Sequence, residues 1–371
     1  MRNIVVLLGA GASFDYGAPL MKDFYKVASE IFVNTRDPKV KVHFTTVFEF
    51  IDKLQKAQAK ANIDLHNIEQ VYTALEMAKL LGLEHLRVAG KSWSKMDASM
   101  RFFLTHCIES QTVLPPSPKM HAHKQRSDST TIAGLTRRKS NMGTVAAYIQ
   151  GLKKKGWDVS ILSFNYDLVA EATLSNSNLK VDYCLDGGLD KIDVNTVPLL
   201  KLHGSINWQP ITEKRRVKLQ VMSYDELGNS SNHHLYSVNN SQQVVTNLSR
   251  AFTPFVIPPV WNKATYQSAL SKVWKVAANQ LSEASHVYCL GYSLPVTDGF
   301  FKQLYALGTI GKSPFLQFKV FDVEPGDKPQ GVNARFLDLL GRGAENVFSY
   351  NDTGVAGLAD SLKILLKKGN Y

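Results

Sequence analysis

The sequence is poor in cysteine. Its 371 residues include three, Cys107, Cys184 and Cys289, and no two of them form a CxxC pair. A four-cysteine zinc site is thereby excluded, no metal is expected, and a reducing cytoplasm is the natural setting. Long apolar runs are missing too. Nowhere do about 18 apolar residues follow one another, so no membrane span is expected. Only Arg2 precedes a short apolar strand and no small-residue cleavage site is present, so no signal peptide is expected. Two phosphate-binding signatures are incomplete. "VVLLGAGASFDYGAPL" (5–20) begins like G-x-G-x-x-G, but Phe14 stands where the third glycine belongs. The region near residue 30 reads as helix and not as a strand ending on an acid, which departs from the hydride-transfer fingerprint. "AGKS" (89–92) and "IGKS" (310–313) carry Gly-Lys-Ser without a glycine five residues earlier, so neither is a P-loop.

What is present is an ordinary globular composition with a basic balance. Apolar residues make up 44% and charged residues 20%. Lys and Arg number 43 against 32 Asp and Glu, a formal charge of +11. That excess favours anionic partners: a nucleotide, a nucleic acid or an acidic protein. A solvated basic surface accounts for it equally well.

The chain reads as strands alternating with helices, interrupted once. Residues 3–8 form a short, β-branched, buried strand, and 20–33 carry a helical pattern that Pro19 suits as a first turn. Helical spacing then dominates at 45–60, 66–82 and 97–110, so 36–145 is read as a helical insertion. Its distal part, 115–140, is a proline- and serine-rich loop with Lys119, Lys124, Arg126, Arg137, Arg138 and Lys139 against the single acid Asp128. It suits an anion or nucleic-acid contact, or simply a solvated loop. Strands are expected at 158–163, 197–202, 286–290, 317–323 and 346–349. Helices are expected at 167–175, 263–282, 297–307, 331–340 and 355–368. The fold expected is α/β: a Rossmann-like, doubly wound parallel sheet formed by 1–35 and 146–371. A polar stretch with the alternating piece "RRVKLQVMSY" makes 187–260 a small β-rich excursion.

Three strand ends carry glycine or polar side chains. Gly9 and Gly11 close the first strand, where a glycine lets the backbone approach a phosphate. "ILSFNYDLVAE" (161–171) places Asn165 and Asp167 at the second. "PLLKLHGSINW" (198–208) places His203 just beyond a third. Alone, Asn165 and Asp167 also suit helix caps, and His203 a hydrogen-bonded structural role. Ligands of open α/β sheets bind at the carboxyl ends of strands, so the three can meet in one crevice. "HVYCLGYSLPVTDGFF" (286–301) repeats the device with Gly291 and Ser293. "FKVFDVEPG" (318–326) ends on Glu324, a carboxylate suited to a ribose diol or to an exposed loop.

The ordered set "GAGAS…GAP", "SFNYD", "KLHGS", "IPPVWNK", "GYSLPVTD" and "FDVEP" resembles the sirtuin-like domains of bacterial anti-phage defence proteins. More distantly, it resembles the sirtuin deacylases. "NIEQVYTAL" (67–75) is similar to an acidic-hydrophobic motif of the helical insertion in the bacterial branch. The resemblance implies NAD as substrate. Gly9, Ala10, Gly11, Ala12 and Ser13 would hold its pyrophosphate and adjoining ribose, with Pro19 of the closing motif also on the NAD side. Asn165 would position the water or the ribose, with Asp167 beside the nicotinamide and His203 as general base. Gly291 and Ser293 would contact phosphate or the adenosine ribose, and Glu324 the adenosine ribose hydroxyls. Breaking the nicotinamide–ribose bond releases a neutral leaving group, so positioning, a base and water exclusion suffice.

Two departures from the deacylases count. No cysteine occurs in 187–260, where they carry a zinc module, and their "QNID" core reads "FNYD" here. The resemblance therefore implies an NAD glycohydrolase that yields nicotinamide and ADP-ribose and acts in anti-phage immunity. A non-catalytic NAD- or ADP-ribose-binding module and a zinc-free deacylase are the alternatives. Only one helix follows the last sheet elements, so activation is expected from a partner or from homo-oligomeric assembly. In the family such chains are often paired with a HerA-type hexameric ATPase or an Argonaute-type protein.

Overall fold

The computed structural model describes residues 2–57, 63–115, 140–189, 193–213, 216–228, 235–238, 244–257, 267–296, 298–310 and 315–367. The basic loop expected at 115–140 lies outside them except at its ends, and so does most of "IPPVWNK".

β1 (Asn3–Leu8) is a run of Ile, Val and Leu buried on both faces. Such a run suits the middle of a parallel sheet. The chain then leaves for about 150 residues and returns as β2 (Asp158–Ser163), which pairs directly with β1. β3 (Lys180–Asp182) and β4 (Thr196–Lys201) follow. Three short antiparallel pairs form the β-rich excursion. β5 (Gly204–Ser205) pairs with β10 (Phe255–Val256), β6 (Trp208–Glu213) with β7 (Arg216–Val221), and β8 (Tyr236–Val238) with β9 (Val244–Thr246). β11 (His286–Leu290), β12 (Gln317–Phe321) and β13 (Phe348–Asn351) complete the sheet. The order is β13-β12-β11-β1-β2-β4-β3, with every pairing parallel.

Helices cover both faces. On one face Val5, Val287 and Phe318 lie side by side, and the Phe318 ring meets Tyr305 of helix Gly299–Gly308 and Phe336 of helix Val332–Leu339. On the other, Val6, Tyr288 and Lys319 lie side by side beneath helices Asn141–Lys154 and Gly354–Lys367, which pack on each other. The architecture is the doubly wound, Rossmann-like α/β fold expected from the sequence.

The described part of the insertion is mainly helical, with α-helices Pro38–Ala57, Ile68–Leu80 and Trp93–Gln111, a 3-10 turn at Glu84–Leu86 and a single β-bridge from Leu114 to Val244. Asn67 and Ser92 cap the second and third α-helices through their side-chain oxygens. The buried Glu109 carboxylate accepts the N–H groups of Leu248 and Ser249 at 2.6 and 3.0 Å, joining the insertion to the excursion. Among the described residues no helix is long and apolar enough to cross a membrane.

Candidate functional site

Strand order runs outward in both directions from β1, so the loops after β1, β2 and β11 part at their carboxyl ends. The turn after β1 is laced to the turn after β11. Gly9 N–H donates to Leu290 O at 3.1 Å, and Gly11 N–H to Gly291 O at 2.9 Å. A Cβ on Gly9 would stand 2.4 Å from Tyr292 Cα, and one on Gly291, whose φ is +59°, 2.5 Å from the Ala12 nitrogen. These glycines are demanded by backbone packing on backbone, whatever the loop binds.

The turn does not lead straight into an α-helix. It winds into a 3-10 helix over Ala10–Tyr16, which Gly17 stops in the left-handed conformation at φ +82°. A second 3-10 turn at Met21–Asp23 precedes the α-helix Phe24–Asn34. The helix expected over 20–33 therefore starts later, and Pro19 lies between the two turns, outside any helix.

A cleft of about 310 Å³ opens at these strand ends. Gly9, Ala10, Gly11, Asn165, His203, Gly291 and Ser293 line it. Ala12, Ser13, Pro19, Asp167 and Glu324 are not in its lining. Ser13 and Asp167 lie beneath it. The Asn165 amide donates to Gly9 O at 2.8 Å and to Ser13 Oγ at 3.1 Å. Ser13 in turn donates to Asp167 Oδ1 at 3.0 Å, which also accepts Val169 N–H at 2.9 Å. Burial pushes the Asp167 carboxyl upward, while Lys201 works against that shift. Lys201, 1% exposed, donates to the Asp167 carbonyl at 2.5 Å and to Glu171 Oε1 at 2.9 Å. A buried polar chain thus runs from Glu171 to the Asn165 side chain. Gly9 O can only accept, so the nitrogen of the Asn165 amide must face it. Its carbonyl Oδ1 is what remains to serve the cleft.

His203 sits just past β4, where Gly204 turns the chain at φ +83°. Its ring meets the edge of Phe164 at 5.6 Å between centroids, and Phe164 stacks on Tyr292 at 3.8 Å and 3°. Its Nε2 lies 3.7 Å from Asp298 Oδ2. Asp298, 1% exposed, accepts Tyr292 Oη–H at 2.7 Å and caps helix Gly299–Gly308 through Phe301 N–H at 3.3 Å.

Asp298, Asp322 and Glu69 all line the cleft, with Lys22 opposite in charge. Burial pushes the Asp322 carboxyl upward. The sequence reading did not single out these three acids. Asp298 had a signal, an acid directly before a helix start, and Asp322 closes its strand two residues before Glu324. Glu69 belongs to the quoted insertion motif, but nothing local says that the helix Ile68–Leu80 meets the sheet there. Glu324 has other partners. It accepts Val332 N–H at 2.5 Å and Lys328 Nζ at 2.7 Å, and Arg335 lies 3.9 Å away. Those partners, Lys328 foremost, hold its carboxyl below the usual range.

No family model matches the chain, and no curated protein matches it. Among solved structures, a Sir2 complex with the inhibitor EX-527, 2'-O-acetyl-ADP-ribose and a deacetylated p53 peptide is similar at 11% identity and TM-score 0.39, covering 100% of this chain and 95% of that one. A Sir2Tm structure with a propionylated peptide matches at 13% identity and TM-score 0.38, covering 100% and 94%. A mutant Sir2 homologue with 2'-O-acetyl ADP ribose matches at 13% identity and TM-score 0.40, covering 99% and 92%. Identities this low give no residue its role.

Proposed function

We propose that this chain is an NAD glycohydrolase, cleaving NAD to nicotinamide and ADP-ribose, and an effector of bacterial anti-phage immunity. The observation that carries the reading is the convergence of Gly9–Gly11, Asn165 and His203 on one cleft at the reversal point of the sheet. Three motifs separated by up to 194 positions (203 − 9) supply them. The residues suit such a substrate. Backbone at Gly9–Gly11 and Lys22 favour a pyrophosphate. Asp322 offers acceptors to a ribose diol. The cleft's acidic lining favours the positive charge that grows on the sugar as the bond breaks.

The chemistry asks little of the protein. The C–N bond electrons leave with nicotinamide, which departs neutral and needs no acid. Water forms the new C–O bond, oriented by Asn165 Oδ1, and its proton passes to His203. Ser13 and Asp167 act through Asn165 as positioning residues. Phe164 and Tyr292 give the cleft an apolar floor that limits water. Activation comes from a partner, such as a HerA-type hexameric ATPase, or from self-assembly.

The test is direct. Purified protein, alone and with candidate partners, is incubated with NAD, and nicotinamide and ADP-ribose are quantified. Stoichiometric release is expected, falling about 100- to 10,000-fold in Asn165→Ala and His203→Ala. NAD binding without loss in every state would make the chain a binding module. Loss that requires an acylated peptide would make it a deacylase.

A further inference from the structure

A second cavity lies away from that cleft, between the sheet and the helices Asn141–Lys154 and Gly354–Lys367. Its volume is about 520 Å³ and it is open on one side. Domain interiors hold few voids larger than a water, whose share of liquid is about 30 Å³. A space this large forfeits dispersion contacts along its walls unless something fills it. It falls within the range of about 300–1,000 Å³ usual for small-molecule sites.

Its walls are apolar: Val145, Ile149 and Leu152 from one helix, Leu358, Leu362 and Leu365 from the other. Its floor is a row of sheet residues in register, Val6, Tyr288, Lys319 and Ser349. Most polar groups there are already engaged. Tyr288 Oη donates to Gln317 at 3.0 Å, Tyr350 Oη to the Glu324 carbonyl at 2.6 Å, and Ser361 Oγ to the Gly357 carbonyl at 3.1 Å. Asn351 Oδ1 accepts Thr353 N–H at 2.9 Å. Lys319 differs. It lines the cavity, half-buried, and forms no ion pair with a described residue. The floor thus presents one half-buried ammonium, beside the exposed Ser349 hydroxyl, along an otherwise largely apolar lining.

We infer that this cavity is a binding site for a small apolar molecule carrying a single carboxylate, its anion on Lys319 and its hydrocarbon between the two helices. A neutral ligand would leave the ammonium unmatched, and a multiply charged one would bury charge against leucines.

Dodecanoate titrated calorimetrically into the full chain tests this, with dodecanol as the neutral control. Saturable binding of one dodecanoate per chain is expected. Lys319→Met keeps the apolar stem and removes the charge. It should weaken dodecanoate about tenfold or more and leave dodecanol unchanged. Leu358→Trp, on the opposite wall, should abolish both, with folding verified by its thermal midpoint. No saturable binding, or equal affinity of wild type and Lys319→Met for dodecanoate, overturns the assignment. Lys319→Met reports even where the bulkier variant fails to fold.

Discussion

The Asn165 amide spends both hydrogens on its own chain, one on Gly9 O and one on Ser13 Oγ. Asn165→Asp preserves shape but turns an acceptor toward Gly9 O. We expect it to lose as much NAD cleavage as Asn165→Ala, measured as nicotinamide release. Ser13→Ala should cost less, about tenfold, because the Gly9 contact survives. The buried pair behind them is expensive to break. Lys201→Met removes the ion-pair partner of Glu171, which is 3% exposed, and leaves it the Tyr183 hydroxyl. Urea unfolding should register about 3–5 kcal/mol lost, and the added change Glu171→Leu should restore part of it. Glycine and polar residues at strand ends announced Gly9, Asn165 and His203, because that position carries meaning in any open α/β sheet. The chain Ser13–Asp167–Lys201–Glu171 was illegible. Its members lie up to 188 positions apart (201 − 13), and only the fold makes them neighbours.

In the insertion, Phe102 is sandwiched by two imidazoles, His43 at 4.4 Å and His106 at 5.3 Å between centroids. Burial drives both pKa values down, that of His106 from the usual 6.5 to about 4. Between those values the unfolded chain holds a proton on His106 that the folded chain does not. Stability is thus full above about 6.5 and falls as the pH drops toward 4. Thermal midpoints across that interval should slope, and His106→Asn should flatten the slope. Secondary structure was legible where composition and boundaries agreed: the strands Asp158–Ser163 and His286–Leu290 match expectation residue for residue. Helix Asn141–Lys154 was not singled out. Gly143 and Gly151 weaken its propensity, its lysine-rich end reads as loop, and its Ser140 cap follows the basic stretch. The 3-10 winding of Ala10–Tyr16 was hidden too, since Gly17 and the laced turns impose it.

Across the molecule, NAD should act as a stabiliser. In His203→Ala, a hundredfold excess over Kd should add about 2.7 kcal/mol, visible as a raised thermal midpoint. No rise, with wild-type NAD cleavage absent as well, would remove NAD from the cleft. One feature of the sheet bears on how the chain is made. β1 is emitted first, yet it is the central strand, and its partners are β2 and β11. At a ribosomal pace of about 5–20 residues per second, β1 waits ~15–60 s for the second of them. Through that interval "NIVVLL" keeps an open hydrogen-bonding edge, an invitation to aggregation. A nascent chain stalled before His286 should therefore be protease-sensitive and chaperone-bound, and one stalled well past Asn351 should be neither. The proposed NAD cleavage would then be withheld by the order of synthesis itself, since the cleft's two laced turns cannot meet until Gly291 has been made.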